Sequence, residues 1–227
     1  MSEDNKNIFI ATGGTGGHIF PAVSLMEYLN KIGFMSILTT DLRGYKFIDK
    51  KNMRKTILID SSSLNRGKKF ISILKILSSI FRSLIILFKN KPKFIFGMGG
   101  YASFPVCLAG ILLRIPIVIY ENNLLIGKAN RFLAPFSKRI FVTYKDIQGI
   151  NTKYKDRTIV TGNIIRENIL NFSKSNDHET RDCLNILVLG GSQAAKIFAE
   201  KLPDIFINCK KNNIKFKIYQ QCLDEQK

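Results

Sequence analysis

Residues 7–22 read NIFIATGGTGGHIFPA, and this stretch decides the fold. Asn7 to Thr12 is a short apolar run with strand-forming residues, Gly13 to Gly17 can only be a turn, and the apolar pattern resumes from Pro21 to Lys31 as a helix with proline near its start. Strand, glycine turn and helix in that order begin a βαβ unit. Glycines tolerate positive φ and let a ligand come close to the backbone. A helix opening from such a turn aims its free N–H groups and its dipole at it. The turn is therefore either a tight corner or an anion site suited to a diphosphate. It is neither G-x-G-x-x-G nor a Walker loop, since no Lys-Ser or Lys-Thr follows. His18 stands at its mouth, as a structural hydrogen-bonder or as a general base.

Outward from this unit the pattern repeats. Strands are expected at 35–39, 55–60, 93–96, 115–120, 139–142 and 158–163, and helices at 70–88, 104–113 and 127–133. Apolar strands alternating with helices predict an α/β fold whose parallel sheet is covered on both faces. Such sheets bind ligands at the carboxyl ends of their strands. A second glycine turn, GMGGYASFP at 97–105, lies at such an end and adds the hydroxyls of Tyr101 and Ser103. Tyr120-Glu121-Asn122-Asn123, with Gly127 and Asn130, follows a buried strand; these are either sugar-reading groups or capping and turn residues. Thr161-Gly162-Asn163 precedes Arg166, whose guanidinium can hold a diphosphate with paired bonds. The expected first domain covers 1–163 and a connector 164–183, with its most polar part at 173–182. A second Rossmann-like unit then starts at 184–227: strand 184–189, turn 190–193 with Ser192, helix 194–201 and strand 214–220. One such unit is less than an independent domain.

Composition narrows the classes. The 227 residues are 45% hydrophobic and 23% charged, so the chain is globular, and 35 basic against 17 acidic residues give a net charge of +18. That surplus implies an anionic partner. No zinc-finger spacing or RNA-binding aromatic motif is present, which argues against nucleic acid. Cys107, Cys183, Cys209 and Cys222 form no C-x-x-C pair and have no nearby His at metal spacing, which suits a reducing cytosol. Met1 to Asn7 is polar and unlike a signal peptide. Helix 70–88 is long enough to span a bilayer but is interrupted by Lys75 and Arg82 on one face and flanked by Arg66, Lys68, Lys69, Lys89, Lys91 and Lys93. It reads as a helix lying in a membrane interface, or as one packed on the sheet with its charges outward.

Taken in order, GGTGGHIFPA, GMGGYASFPV and GGSQ resemble glycosyltransferase family 28, and within it the enzymes that add N-acetylglucosamine to undecaprenyl-pyrophosphoryl-N-acetylmuramyl-pentapeptide. The resemblance implies a GT-B fold and an inverting hexosyltransferase that uses no metal or other cofactor. It implies work at the cytoplasmic face of the inner membrane, in peptidoglycan synthesis. It makes His18 the candidate base, sets Thr15, Gly16 and Gly17 at the diphosphates, and matches Asn123, Arg166 and Ser192 to donor contacts, with Glu121 and Tyr101 at the same cleft. It tips helix 70–88 toward the anionic membrane surface. The family's uracil pocket has no counterpart here, so the chain alone is expected to bind UDP-N-acetylglucosamine weakly. An inactive remnant, or half of a split transferase that binds only membrane and lipid-linked diphosphate, is the alternative; a UDP-sugar epimerase shares the two-domain fold. Three departures stand out: Tyr120 and Asn122 replace His and Gln, Ala194 replaces Gly, and Ile164 replaces a Pro, which should loosen that turn.

Overall fold

The computed structural model describes residues 7–60, 69–173, 183–190 and 196–222. The chain divides into two compact units, residues 1–171 and 172–227.

In the first unit, β1 (Asn7–Ala11) leads into α1 (Gly16–Lys31), then β2 (Met35–Thr40), the short helices α2 (Leu42–Tyr45) and α3 (Lys50–Met53), and β3 (Thr56–Leu58). The long helix α4 (Lys69–Asn90) precedes β4 (Phe94–Gly97), α5 (Ser103–Leu112), β5 (Ile117–Glu121), α6 (Lys128–Leu133), β6 (Arg139–Val142), β7 (Thr158–Val160) and α7 (Glu167–Ser173). The seven strands form one sheet in the order β3-β2-β1-β4-β5-β6-β7. Every pairing is parallel. The chain order therefore reverses between β1 and β4, which is where an open α/β sheet makes its ligand crevice.

The unbroken apolar strands are explained by two buried faces. In β1, Ile8 and Ile10 pack with Ile19 and Met26 of α1 on one side, while Phe9 and Ala11 join Leu87 of α4 and Val106 of α5 on the other. These four side chains of β1 are fully buried. Each large one contributes about 1.5 to 3 kcal/mol on removal from water.

Two helix ends differ from their sequence expectations. Helix α1 starts at Gly16, five residues before Pro21, so the proline sits inside the helix. In the second unit, β8 (Leu184–Val188) pairs in parallel with β9 (Phe216–Gln220) around α8 (Lys196–Lys211). Helix α8 runs ten residues past the expected end at 201, with Pro203 inside it. Proline near a helix start is a boundary signal, but Pro21 lies inside α1, where the Gly17 carbonyl that it leaves open accepts Asn122 Nδ2 at 2.8 Å. Helix α7 occupies part of the stretch read as connector.

Candidate active site at the switch point

The two glycine turns meet backbone to backbone. A Cβ on Gly100 would strike the Gly13 carbonyl oxygen, and a Cβ on Gly13 would come within 2.6 Å of the Ala102 Cβ. Gly100 also has φ +80°. These glycines therefore serve the contact between the turns after β1 and β4. The Gly14 N–H donates to Asp41 Oδ1 at 3.2 Å, so that amide is occupied by a carboxylate of the chain itself. Asp41 follows β2, accepts Gly44 N–H at 2.9 Å, and pairs with Arg43 at 2.7 Å. Sequence reading missed it, although its place at a strand's carboxyl end was the available signal.

At the crevice lies a cavity of about 260 Å³ lined by His18, Gly99, Gly100, Tyr101, Glu121, Asn123, Gly127, Lys128, Ala129 and Asn130. His18 enters it from the first turn of α1 and Tyr101 from the second glycine turn. The others come from the end of β5, the following loop and the start of α6. Four of the residues expected at a site therefore share one cavity: His18, Tyr101, Glu121 and Asn123.

Glu121 is buried and its carboxylate is saturated. Oε1 accepts the Asn123 N–H at 3.1 Å and Asn123 Nδ2 at 2.8 Å, and Oε2 accepts the Gly127 N–H at 2.9 Å and Asn130 Nδ2 at 3.0 Å. It organises the loop and holds a negative charge near His18. Asn130 is fully buried, and its Oδ1 has no hydrogen-bond partner among the described residues. That acceptor at a cavity wall can meet a ligand hydroxyl or amide.

The imidazole of His18 is held below its ordinary pKa of 6.5. Burial is the main cause, opposed by the Glu121 charge and by a hydrogen bond to the Met98 backbone. His18 is therefore neutral at pH 7. Its Nδ1 is shielded and unpartnered among the described residues, and a neutral imidazole keeps one ring nitrogen with a lone pair for a proton.

The remaining expected residues lie apart. Thr15 caps α1 without a side-chain bond, its carbonyl accepting His18 N–H at 3.1 Å. Gly16 is buried and Gly17 exposed beside it; none of the three lines the cavity. Arg166 is exposed and stacks on Phe20, 4.5 Å from the ring centroid, beside a separate cavity of about 420 Å³ along α1. Ser192 and Ala194 fall outside the described residues.

The turn at 161–164 is not loosened by the missing proline. Ile164 has the N–H that proline lacks, and donates it to Tyr120 Oη at 3.2 Å. Tyr120 Oη in turn donates to the Gly162 carbonyl at 3.2 Å and lies 3.1 Å from Thr143 Oγ1. Tyr120 and Ile164 thus compensate each other.

No group of three His, Cys, Asp or Glu side chains able to hold a metal occurs among the described residues. The polar side chains lining the cavity are two amides, a phenol hydroxyl, one saturated carboxylate, the Lys128 ammonium and an imidazole.

A parallel doubly wound sheet with a polar cavity and a neutral histidine at its switch point defines an α/β ligand-binding domain of the Rossmann-like class. The family model described as glycosyltransferase family 28 N-terminal domain matches residues 8–142, and the chain belongs to this family. A relative in Rickettsia bellii is 39% identical over 229 residues, covering 97% of this chain and 63% of that protein. One in Pelagibacter ubique is 34% identical over 221 residues, covering 96% and 60%. Both carry the name UDP-N-acetylglucosamine–N-acetylmuramyl-(pentapeptide) pyrophosphoryl-undecaprenol N-acetylglucosamine transferase. The crystal structure of Acinetobacter baumannii MurG superposes with a TM-score of 0.71 at 25% identity, covering 97% of this chain and 59% of that one. Staphylococcus aureus MnaA, solved with UDP, shares the fold at a TM-score of 0.59 and 15% identity, covering 97% and 63%. The chain thus spans about 63% of the length of its first relatives.

Proposed function

We propose that this chain is the acceptor-side part of an inverting glycosyltransferase that moves N-acetylglucosamine from UDP-N-acetylglucosamine to undecaprenyl-pyrophosphoryl-N-acetylmuramyl-pentapeptide. The relatives named above carry this activity in their names. The observation that carries the reading is the neutral His18 beside an unsaturated Asn130 in one cavity at the switch point.

In this reading the C4 hydroxyl of the muramyl sugar enters the cavity and His18 takes its proton. The oxygen attacks C1 of the donor sugar from the face opposite UDP. The C1–O bond to phosphate breaks with its electron pair leaving on UDP, so configuration inverts. Asn123, Asn130 and Tyr101 orient the acceptor sugar, while Glu121 keeps the loop in place and stabilises the imidazolium that forms. The start of α1 at Thr15, Gly16 and Gly17 faces a diphosphate, and Arg166 and Ser192 belong to the donor side.

Helix α4 is the membrane-facing element of the proposal. It is long and apolar enough by composition to cross a bilayer. Its inward face carries Ser79, Ser83 and Leu87, whereas Leu74, Leu77, Phe81, Ile85 and Phe88 are exposed beside exposed Lys75 and Arg82. An apolar face rimmed by cations suits the interface of an anionic bilayer, which supports the reading of a peripheral enzyme at the cytoplasmic face of the inner membrane.

The test is transfer of labelled sugar from UDP-N-acetylglucosamine into lipid, with and without the lipid-linked muramyl-peptide. Label entering lipid only with acceptor present, and lost in His18→Ala, is the expected result. Turnover of the nucleotide sugar without acceptor overturns the reading. No transfer by folded chain that still binds the lipid-linked acceptor supports the binding-only alternative, which the partial coverage of the relatives keeps in play.

A further inference from the structure

Pro21 occupies the sixth position of α1. It has no N–H, so the carbonyl four residues earlier, that of Gly17, lacks its regular i+4 bond. Asn122 supplies one from the loop after β5, with Nδ2 donating to Gly17 O at 2.8 Å. The Asn122 amide is oriented in turn, because Asn123 Nδ2 donates to its Oδ1 at 3.2 Å. With a donor facing its oxygen and an acceptor facing its nitrogen, the amide fits only one way round. Asn123 itself hangs on the buried Glu121 carboxylate. On the other side of this bond is the first turn of α1, which has no side-chain cap at Thr15 and carries His18 next to Gly17.

We propose that Asn122 is a positioning residue: through the carbonyl that Pro21 leaves open, it latches the helical turn bearing His18 to the loop bearing Glu121 and Asn123. Two segments 105 residues apart in sequence are thereby held in register across the cavity mouth. The latch explains why a proline is tolerated inside α1 and why the loop side chain here must be a donor. Asn122→Asp keeps the shape but cannot donate, and its charge repels the carbonyl oxygen. Pro21→Ala restores an N–H that reaches Gly17 O within the helix, and makes the latch redundant for the turn.

The consequence for transfer rests on the reading of His18 as base, but the test does not. Amide hydrogen exchange of the full chain is measured at His18 and Ile19, whose N–H groups bond to Thr15 O. Asn122→Ala and Asn122→Asp are each expected to speed exchange at these two amides about fivefold, with Phe9 and Ile119 in the core strands unchanged as a check on folding. In the Pro21→Ala background the same substitutions are expected to give less than about a twofold change. The His18 imidazole, followed by NMR, should also titrate closer to its ordinary value in Asn122→Ala as water enters; Glu121, Lys128 and Tyr101 line the same cavity and are unaltered. Unchanged exchange in both Asn122 variants, or equal acceleration in both backgrounds, overturns the latch. An absence of transfer activity alongside the expected exchange pattern would strike the proposed function and leave the latch standing.

Discussion

At the scale of single residues, the account turns on a histidine kept neutral by burial. A depressed His pKa adds stability that is fully present above the ordinary value of 6.5 and is lost as pH falls through the folded value. If His18 is the base of the proposed transfer, the reaction should decline over the same window, because protonated His18 cannot accept a proton. A pH–rate profile checks this, and His18→Ala should lower kcat by about 10² to 10⁴ and remove that limb. Gly100 makes a second prediction. With positive φ and the Gly13 carbonyl against its face, Gly100→Ala should cost about 2 to 5 kcal/mol, read as a lower midpoint in thermal unfolding. His18, Tyr101, Glu121 and Asn123 were legible because chemistry-bearing residues clustered just after apolar strands. Asn130 was legible in the same cluster, though not that its Oδ1 has no partner among the described residues; Asp41 was not, since a lone polar residue after a strand carries no pattern until its partners are seen.

At the scale of elements, the strands followed from unbroken apolar runs, and burial of β1 and β5 on both faces of the sheet is what such runs mean; the order of the strands in the sheet had no such signal and is set by their pairing. Helix ends were less legible. Proline marks a boundary by propensity, yet Pro21 and Pro203 lie within helices; at Pro21 the carbonyl left open is met by the Asn122 side chain, 105 residues away in sequence. The turn after β7 shows the same limit. Loss of proline reads as looseness, but Tyr120 lies 44 residues from Ile164 and meets its N–H. A double-mutant cycle tests this pairing by chemical unfolding. Tyr120→Phe should cost about 1 to 3 kcal/mol by stranding its partners, and Ile164→Pro should be milder in that background, with a coupling of about 1 kcal/mol. Additive effects would mean that the hydroxyl does not hold the turn. For α4, Phe81→Glu and Leu77→Glu should weaken binding to anionic lipid vesicles in a sedimentation assay while leaving the free energy of unfolding within about 0.5 kcal/mol of wild type, as both side chains are exposed.

At the scale of the whole molecule, the net charge of +18 has a site to act through. Lys93, Lys138, Arg139 and Arg157 line a cavity of about 670 Å³ at the amino ends of β4, β5 and β6, with no carboxylate in its lining. This edge is opposite to the His18 cavity, at the far ends of the strands. With α4 docked on an anionic bilayer through its flanking cations, as proposed, vesicle binding should weaken as salt is raised. The second unit exposes Leu184, Leu187, Leu189, Ile197, Ile205 and Ile207, more apolar surface than two strands and a helix bury alone. The measurement that goes straight to the central claim is an NMR titration of the folded chain with a short-chain lipid-linked muramyl-pentapeptide diphosphate, following its two histidines, His18 and His178. The account predicts a saturable shift of the His18 imidazole while His178 stays in place. Saturable binding that leaves His18 unmoved, or no binding by the folded chain, would contradict the cavity at the switch point as the acceptor site.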